Sequence, residues 1–138
     1  MALRLDYAGH KPHQGTSGAA GLDLYAAEDS GIVDGTIELV GTGTRLAIPS
    51  GFFGLLAIRS SLGSRGISLA NGIGVIDSDY RGEVKVAVHN QSGEDILLSR
   101  GERVAQIIVV PFAQVSLHEV VAFGVTERGD GGFGSTGR

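Results

Sequence analysis

Glu83-Val84-Lys85-Val86-Ala87-Val88-His89 decides the fold class of this chain. Its valines recur at every second position, with Glu83, Lys85 and His89 between them. Side chains alternate across a β-strand, so this spacing buries one face and wets the other. A helix would scatter the same valines around its axis. Working outward, Leu22 and Leu24 alternate with Asp23 and Tyr25, and further apolar runs occupy 52–58, 104–110 and 115–121. These runs are rich in β-branched residues, which suit strands. Turn signals recur between apolar segments: Val33-Asp34-Gly35, Gln91-Ser92-Gly93 and Ser99-Arg100-Gly101. No long amphipathic pattern is present, and at most one short helical turn follows Arg59. Many short strands at such intervals predict an all-β, jelly-roll-like sandwich or barrel.

A chain of 138 residues is one domain by default and can bury an autonomous core. The expected organisation is a β domain over 1–123 followed by a flexible glycine-rich lid over 124–138. A net charge of −4 opposes non-specific nucleic-acid binding, which needs excess Lys and Arg facing phosphates. It leaves room for a small phosphate ligand, which a few local arginines can hold. There is no apolar run of membrane-spanning length and no basic-then-apolar leader at Met1, so no membrane partner is expected. With no cysteine, disulfides and thiolate metal sites are excluded, and a cytoplasmic location is the default expectation. The 23 glycines are spread along the chain, as turns and close backbone approaches rather than as one linker.

Five polar segments carry candidate chemistry. In 71–82, glycines at 72, 74 and 82 flank Asp77, Ser78, Asp79 and Tyr80, which predicts a β-hairpin with a polar tip. Backbone groups there can hold a flat base, and an Asp can take a proton from water; taken alone, an ordinary Asp-rich turn is the plainer reading. Arg59-Ser60-Ser61-Leu62-Gly63 follows an apolar strand and offers a guanidinium fork and two hydroxyls to phosphate oxygens. An exposed arginine beside a serine cap fits the same residues equally well. Asp23 puts one carboxylate on a strand, and Gln106 brings a polar side chain into another within Gly101-Glu102-Arg103-Val104-Ala105-Gln106. The tail Arg128-Gly129-Asp130-Gly131-Gly132-Phe133-Gly134-Ser135-Thr136-Gly137 combines a cation, one aromatic ring and two hydroxyls with glycines, the inventory of a nucleotide lid. Composition alone also describes a disordered terminus. His10 and His13 have a spacing seen in metal sites but lack a nearby third ligand, which predicts solvated histidines. His89 and His118 have no evident partner either. No P-loop or Rossmann fingerprint is present.

Taken in order, these segments resemble the five motifs of the homotrimeric dUTPase family, from Ala20 to Gly137. The resemblance implies a β-jelly-roll whose three subunits share three active sites. It implies hydrolysis of dUTP to dUMP and pyrophosphate with Mg²⁺, which limits uracil in DNA and supplies dUMP for dTMP synthesis. By that resemblance Asp77 is the catalytic base for the attacking water, and Asp23 holds waters on the Mg²⁺. Arg59, Ser60 and Ser61 match the phosphate-binding stretch, and Gln106 the glutamine near the α-phosphate. Asn71, Val75 and Ile76 match the uracil-reading hairpin, Tyr80 the packing under deoxyribose, and Lys85 a position close to the nucleotide. In the tail, Arg128 is implied to meet the γ-phosphate, Phe133 to stack on uracil, and Gly134, Ser135 and Thr136 to close on the phosphates.

Two positions depart from the family pattern. Ile58 stands where proline is common, and Ser61 where many members have glycine. Neither removes a required functional group, though Ser61 can shift one backbone contact to phosphate. The rival enzyme on this fold is a dCTP deaminase, or a bifunctional deaminase–dUTPase; those chains are usually longer and use a catalytic glutamate. A nucleotide-binding regulatory protein is the rival from another class, against which Asp23, Asp77 and Arg128 argue. A jelly-roll lectin would need a cluster of solvent-facing aromatics.

Overall fold

The computed structural model describes residues 2–137; Met1 and Arg138, the outer ends of the two expected segments, lie outside the described residues. Along the chain run β1 (Asp6–Gly9), β2 (His13–Gln14), β3 (Leu22–Tyr25), β4 (Ser30–Ile32), β5 (Ile37–Ala47) and β6 (Phe52–Ile58). The helix α1 (Ser60–Gly63) follows, then β7 (Ile67–Leu69), β8 (Gly74–Ile76), β9 (Glu83–Asn90), β10 (Ile96–Leu98) and β11 (Arg103–Pro111). The all-β, jelly-roll-like expectation holds, and the one short helix falls directly after Arg59.

The valine strand β9 lies inside a four-stranded sheet ordered β1-β5-β9-β7. A five-stranded sheet ordered β2-β3-β11-β6-β8 faces it, and β10 pairs with β4 separately. The pairings among these strands are antiparallel. Val84, Val86 and Val88 are buried together with Leu24, Leu56 and Ile107 of the opposite sheet in one core. The period of two thus reports a face that a second sheet covers. Gly35 and Gly93 take φ of 77° and 89°, the left-handed turns that their sequence context predicts.

A polar knot closes the end of β9. Asn90 is fully buried. Its Nδ2 donates to the carbonyls of Ile32 (2.9 Å) and Glu94 (2.8 Å), while its Oδ1 accepts from Ser92 N (3.0 Å) and Ser92 Oγ (2.7 Å). The amide therefore uses both donors and both lone pairs to join β4, β9 and the turn between β9 and β10. Asn90→Ala strands a buried carbonyl and loses the other bonds. Urea unfolding of this variant should show a loss of about 2–4 kcal/mol, and Asn90→Asp, which sets a buried carboxylate oxygen against the Ile32 and Glu94 carbonyls, should lose at least as much.

Two expectations are corrected. Segment 71–82 is not a hairpin, because β8 pairs with β6 in one sheet while β9 pairs with β5 and β7 in the other. It is a corner between sheets whose turn is closed by Tyr80 N donating to Asp77 O at 3.2 Å. The run 115–121 forms no strand. The last ladder residue is Pro111 opposite Phe52, and Phe112 N reaches Gly51 O at 3.0 Å. Beyond that point the chain has run past the end of β6, and among the described residues the apolar run has no strand partner. No helix among the described residues is long and apolar enough to cross a membrane.

Candidate active site

The first group of predicted residues gathers where β6 ends. Register pairs Asp23 of β3 with Gln106 of β11, and Gln106 with Ala57 of β6, so Arg59 follows two residues after this row. Asp23 is buried and accepts from Arg59 Nη1 at 2.7 Å. Arg59 Nε is itself buried without a hydrogen-bond partner. A buried donor left unpaired is costly, so the guanidinium is only partly satisfied by the protein. Gly21 makes room for Gln106: a Cβ there would lie 2.3 Å from Oε1. Ser60 and Ser61 are exposed on the helical turn, whose first bond runs from Leu62 N to Arg59 O at 3.0 Å.

Arg103 belongs to this group although its side chain was not among the sequence candidates. Its Nη1 lies 3.5 Å from Asp23 Oδ2. Strict alternation would set residues 103 and 106 on opposite faces of β11. A bulge between Arg103 and Ala105 shifts the register, so that Arg103 opposes Tyr25 and shares a face with Asp23. Only the bulge brings the two together, and the sequence carries no clear sign of it.

The second group sits at the opposite end of β6. Ile76 pairs with Gly54, and Asp77 shares a small apolar cavity of about 270 Å³ with Phe53, Val75 and Phe112. On its other side, Val75, Ile76, Asp77, Tyr80 and Lys85 line a groove of about 330 Å³. Asp77, Val75, Tyr80 and Lys85 are exposed. Arg81 Nη1 donates to the carbonyls of Ser78 (2.6 Å) and Tyr80 (3.2 Å), which stiffens the turn carrying Asp77. Asn71 is exposed in the preceding turn.

The third group, Arg128 with Phe133, Gly134, Ser135 and Thr136, is exposed. Its hydrogen bonds among the described residues are internal, such as Arg128 Nε to Gly131 O at 2.8 Å and Ser135 N to Gly132 O at 3.1 Å. Phe133 holds φ of 52° with its ring in solvent, the left-handed backbone that a bulky residue rarely adopts. One chain therefore presents three clusters and does not merge them. From Phe53 beside Asp77 to Arg59 is six residues of extended strand, about 20 Å.

His10 is exposed, as the expected solvated histidine would be, although one edge of its ring is engaged. Its Nδ1 lies 3.0 Å from Thr42 O and its ring packs where a Cβ of Gly43 would stand. Among the described residues no group of three or more His, Cys, Asp or Glu could hold a metal ion directly.

The dUTPase family model matches residues 8–137. The chain belongs to the dUTPase family. It is 46% identical over 140 residues to the deoxyuridine 5'-triphosphate nucleotidohydrolase of Anaplasma marginale, covering 99% of this chain and 95% of that protein. The corresponding enzyme of Corynebacterium glutamicum is 44% identical over 138 residues, covering 99% and 93%. Among solved structures, the dUTPase of Staphylococcus bacteriophage 80alpha with dUPNHPP superposes with a TM-score of 0.90 at 25% identity, over 99% of this chain and 100% of that one. A dUTPase of S. aureus phage phi11, described with a structural Mg(II) ion, has the same fold at a TM-score of 0.80 and 22% identity, over 88% of this chain and 99% of that one. The activity of this dUTPase is hydrolysis of dUTP. The deaminase and the lectin alternatives are set aside.

Proposed function

We propose that this dUTPase works as a homotrimer whose shared sites join the three clusters, with Asp77 activating the water that attacks the α-phosphorus. The observation that carries the assembly is the separation along β6: Asp77 and the Arg59–Asp23 pair lie at opposite ends of one strand. A single triphosphate cannot meet both within one chain, so a second copy must supply one of them. Exposed apolar side chains support the same reading. Leu117, Val121, Phe123 and Val125 are each more than 90% exposed, a stretch that a neighbouring copy would cover.

In this reading Arg59, Arg128, Ser60, Ser61, Ser135 and Thr136 bind the triphosphate, and Arg59 Nε and its neighbours gain acceptors. Gln106 sits beside the α-phosphate, next to Asp23 in the ladder. Backbone groups at Asn71, Val75 and Ile76 read the uracil edge. Cytosine would set a donor against a donor there, leaving buried groups unpaired. The methyl of thymine would press on the same corner. Tyr80 packs under the deoxyribose, Lys85 lies close to the nucleotide, Phe133 caps the base, and Gly134 closes on the phosphates with Ser135 and Thr136.

Mg²⁺ fits as a hydrated ion carried by the nucleotide. Asp23 is a single carboxylate between two guanidinium groups, which does not suit direct coordination by the protein. Its Oδ2, held only loosely at 3.5 Å from Arg103, can accept from a water on such an ion. When bound, the ion supplies charge neutralisation of the triphosphate.

The test is a panel of dUTP, dCTP, dTTP and UTP assayed for pyrophosphate release with and without Mg²⁺. We expect turnover of dUTP at least about 100-fold above the others, the scale of rejection by unpaired polar groups, and a sharp fall after chelation. Comparable turnover of dCTP or UTP would overturn the assignment of the uracil and sugar contacts.

A further inference from the structure

We propose that Glu83 sets the position of the Tyr80 ring in the nucleotide groove and thereby governs discrimination between deoxyribo- and ribonucleotides. The inference rests on Tyr80 as the sugar contact and adds the residue that aims it.

Tyr80 is held from two sides. Its Oη donates to the carbonyl of Glu83 at 2.8 Å. Its ring fills the space beside Gly82, where a Cβ would lie 2.4 Å from Oη and 2.6 Å from Cζ. The ring therefore goes wherever the backbone of residues 82 and 83 places it. Glu83 opens β9, and the opposite strand is irregular at this point. The register runs from Gly41 opposite Lys85 to Arg45 opposite Glu83, so four steps on β5 face two on β9. A bulge of this kind leaves residues 42–44 out of the ladder, and the ladder alone does not fix Glu83.

The Glu83 side chain spans that gap. Its Oε1 accepts from Gly43 N inside the bulge at 2.9 Å. Gly41 clears the path, because a Cβ there would stand 3.0 Å from Oε1 and 3.3 Å from Oε2. The anchor is rigid, since β1 grips the bulge from the far side. His10 N donates to Gly43 O at 2.9 Å, Thr44 Oγ1 donates to His10 O at 2.9 Å, and the His10 ring closes over Gly43. Glu83 thus ties a fixed post in β5 to the carbonyl that aims Tyr80. The same residue lines the groove with Asp77, Tyr80 and Lys85. Glu83 is a positioning residue, acting through Tyr80.

The experiment compares kcat and KM for dUTP and UTP in the full-length protein and in Glu83→Ala, Glu83→Gln, Gly41→Ala and Tyr80→Ala, with melting curves for each. Loss of one anchoring hydrogen bond should lower the dUTP/UTP ratio of kcat/KM in Glu83→Ala about five- to tenfold, chiefly through KM for dUTP. Glu83→Gln keeps the acceptor and should stay within about twofold of the parent, since the bond to a neutral donor survives. Gly41→Ala deletes nothing but crowds the carboxylate, and should lower the ratio part of the way. An unchanged ratio in Glu83→Ala, or Gln as harmful as Ala, overturns the proposal. If Glu83→Ala does not fold, an unchanged ratio in Gly41→Ala does the same. Tyr80→Ala separates the two levels of the argument. If it erases discrimination while Glu83→Ala preserves it, the sugar contact stands and the role of Glu83 fails. If Tyr80→Ala leaves discrimination intact, both fail.

Discussion

Asp77→Asn should reduce kcat for dUTP by about three orders of magnitude while leaving dUTP binding nearly unchanged. An amide has the shape of the carboxylate but cannot take a proton from water. The variant therefore removes the proposed base and little else, which costs about 4 kcal/mol in the barrier. Structure gives two reasons why the fold should not suffer. Asp77 is exposed, and the bond that closes its turn is donated by Tyr80 N to the Asp77 backbone carbonyl rather than to the side chain. Arg81 stiffens that turn through the carbonyls of Ser78 and Tyr80, again independently of the carboxylate. Pyrophosphate release and calorimetric titration with dUTP read the two quantities separately. Turnover within tenfold of the parent would refute Asp77 as the base and move attention to a water held elsewhere.

What the sequence made legible followed from the range of the interactions involved. The β9 pattern reports its own burial, because a period of two is a property of one strand and one covered face. The turn glycines and the helical turn after Arg59 are equally local. The 71–82 segment misled because glycines on both sides of a polar tip describe a hairpin and a corner between sheets alike. Which one forms is decided by the partners of β8 and β9, β6 in one case and β5 with β7 in the other. Arg103 was missed for a related reason. Its place beside Asp23 depends on a one-residue bulge in β11, which no alternation pattern announces. The run 115–121 has strand composition without a strand, since composition states a preference and only a partner edge satisfies it. Most of the candidate residues were legible through motif order. Their distribution over three separate clusters was visible only once the ladders were known.

Removing residues 128–138 should abolish most turnover, by about 100-fold or more, without disturbing the β domain or its assembly. The segment is largely exposed, and its one hydrogen bond to a residue outside it among the described residues is to the exposed Thr126 hydroxyl, so its loss leaves no buried partner unpaired. Melting temperature should stay within about 2 °C of the parent, as for surface changes generally. The truncated protein and Asp77→Asn are then each inactive for different reasons, and mixing them tests how the site is assembled. When the two are unfolded together in equal amounts and refolded, a site needs an intact Asp77 from one copy and an intact tail from another. Each is present with a chance of one half, so about a quarter of the parent activity should return if the copies combine at random. If the tail closed over the Asp77 of its own chain, every site would lack one element or the other, and no activity would return. The size of the recovery therefore distinguishes shared sites from private ones, with both parent variants serving as their own controls.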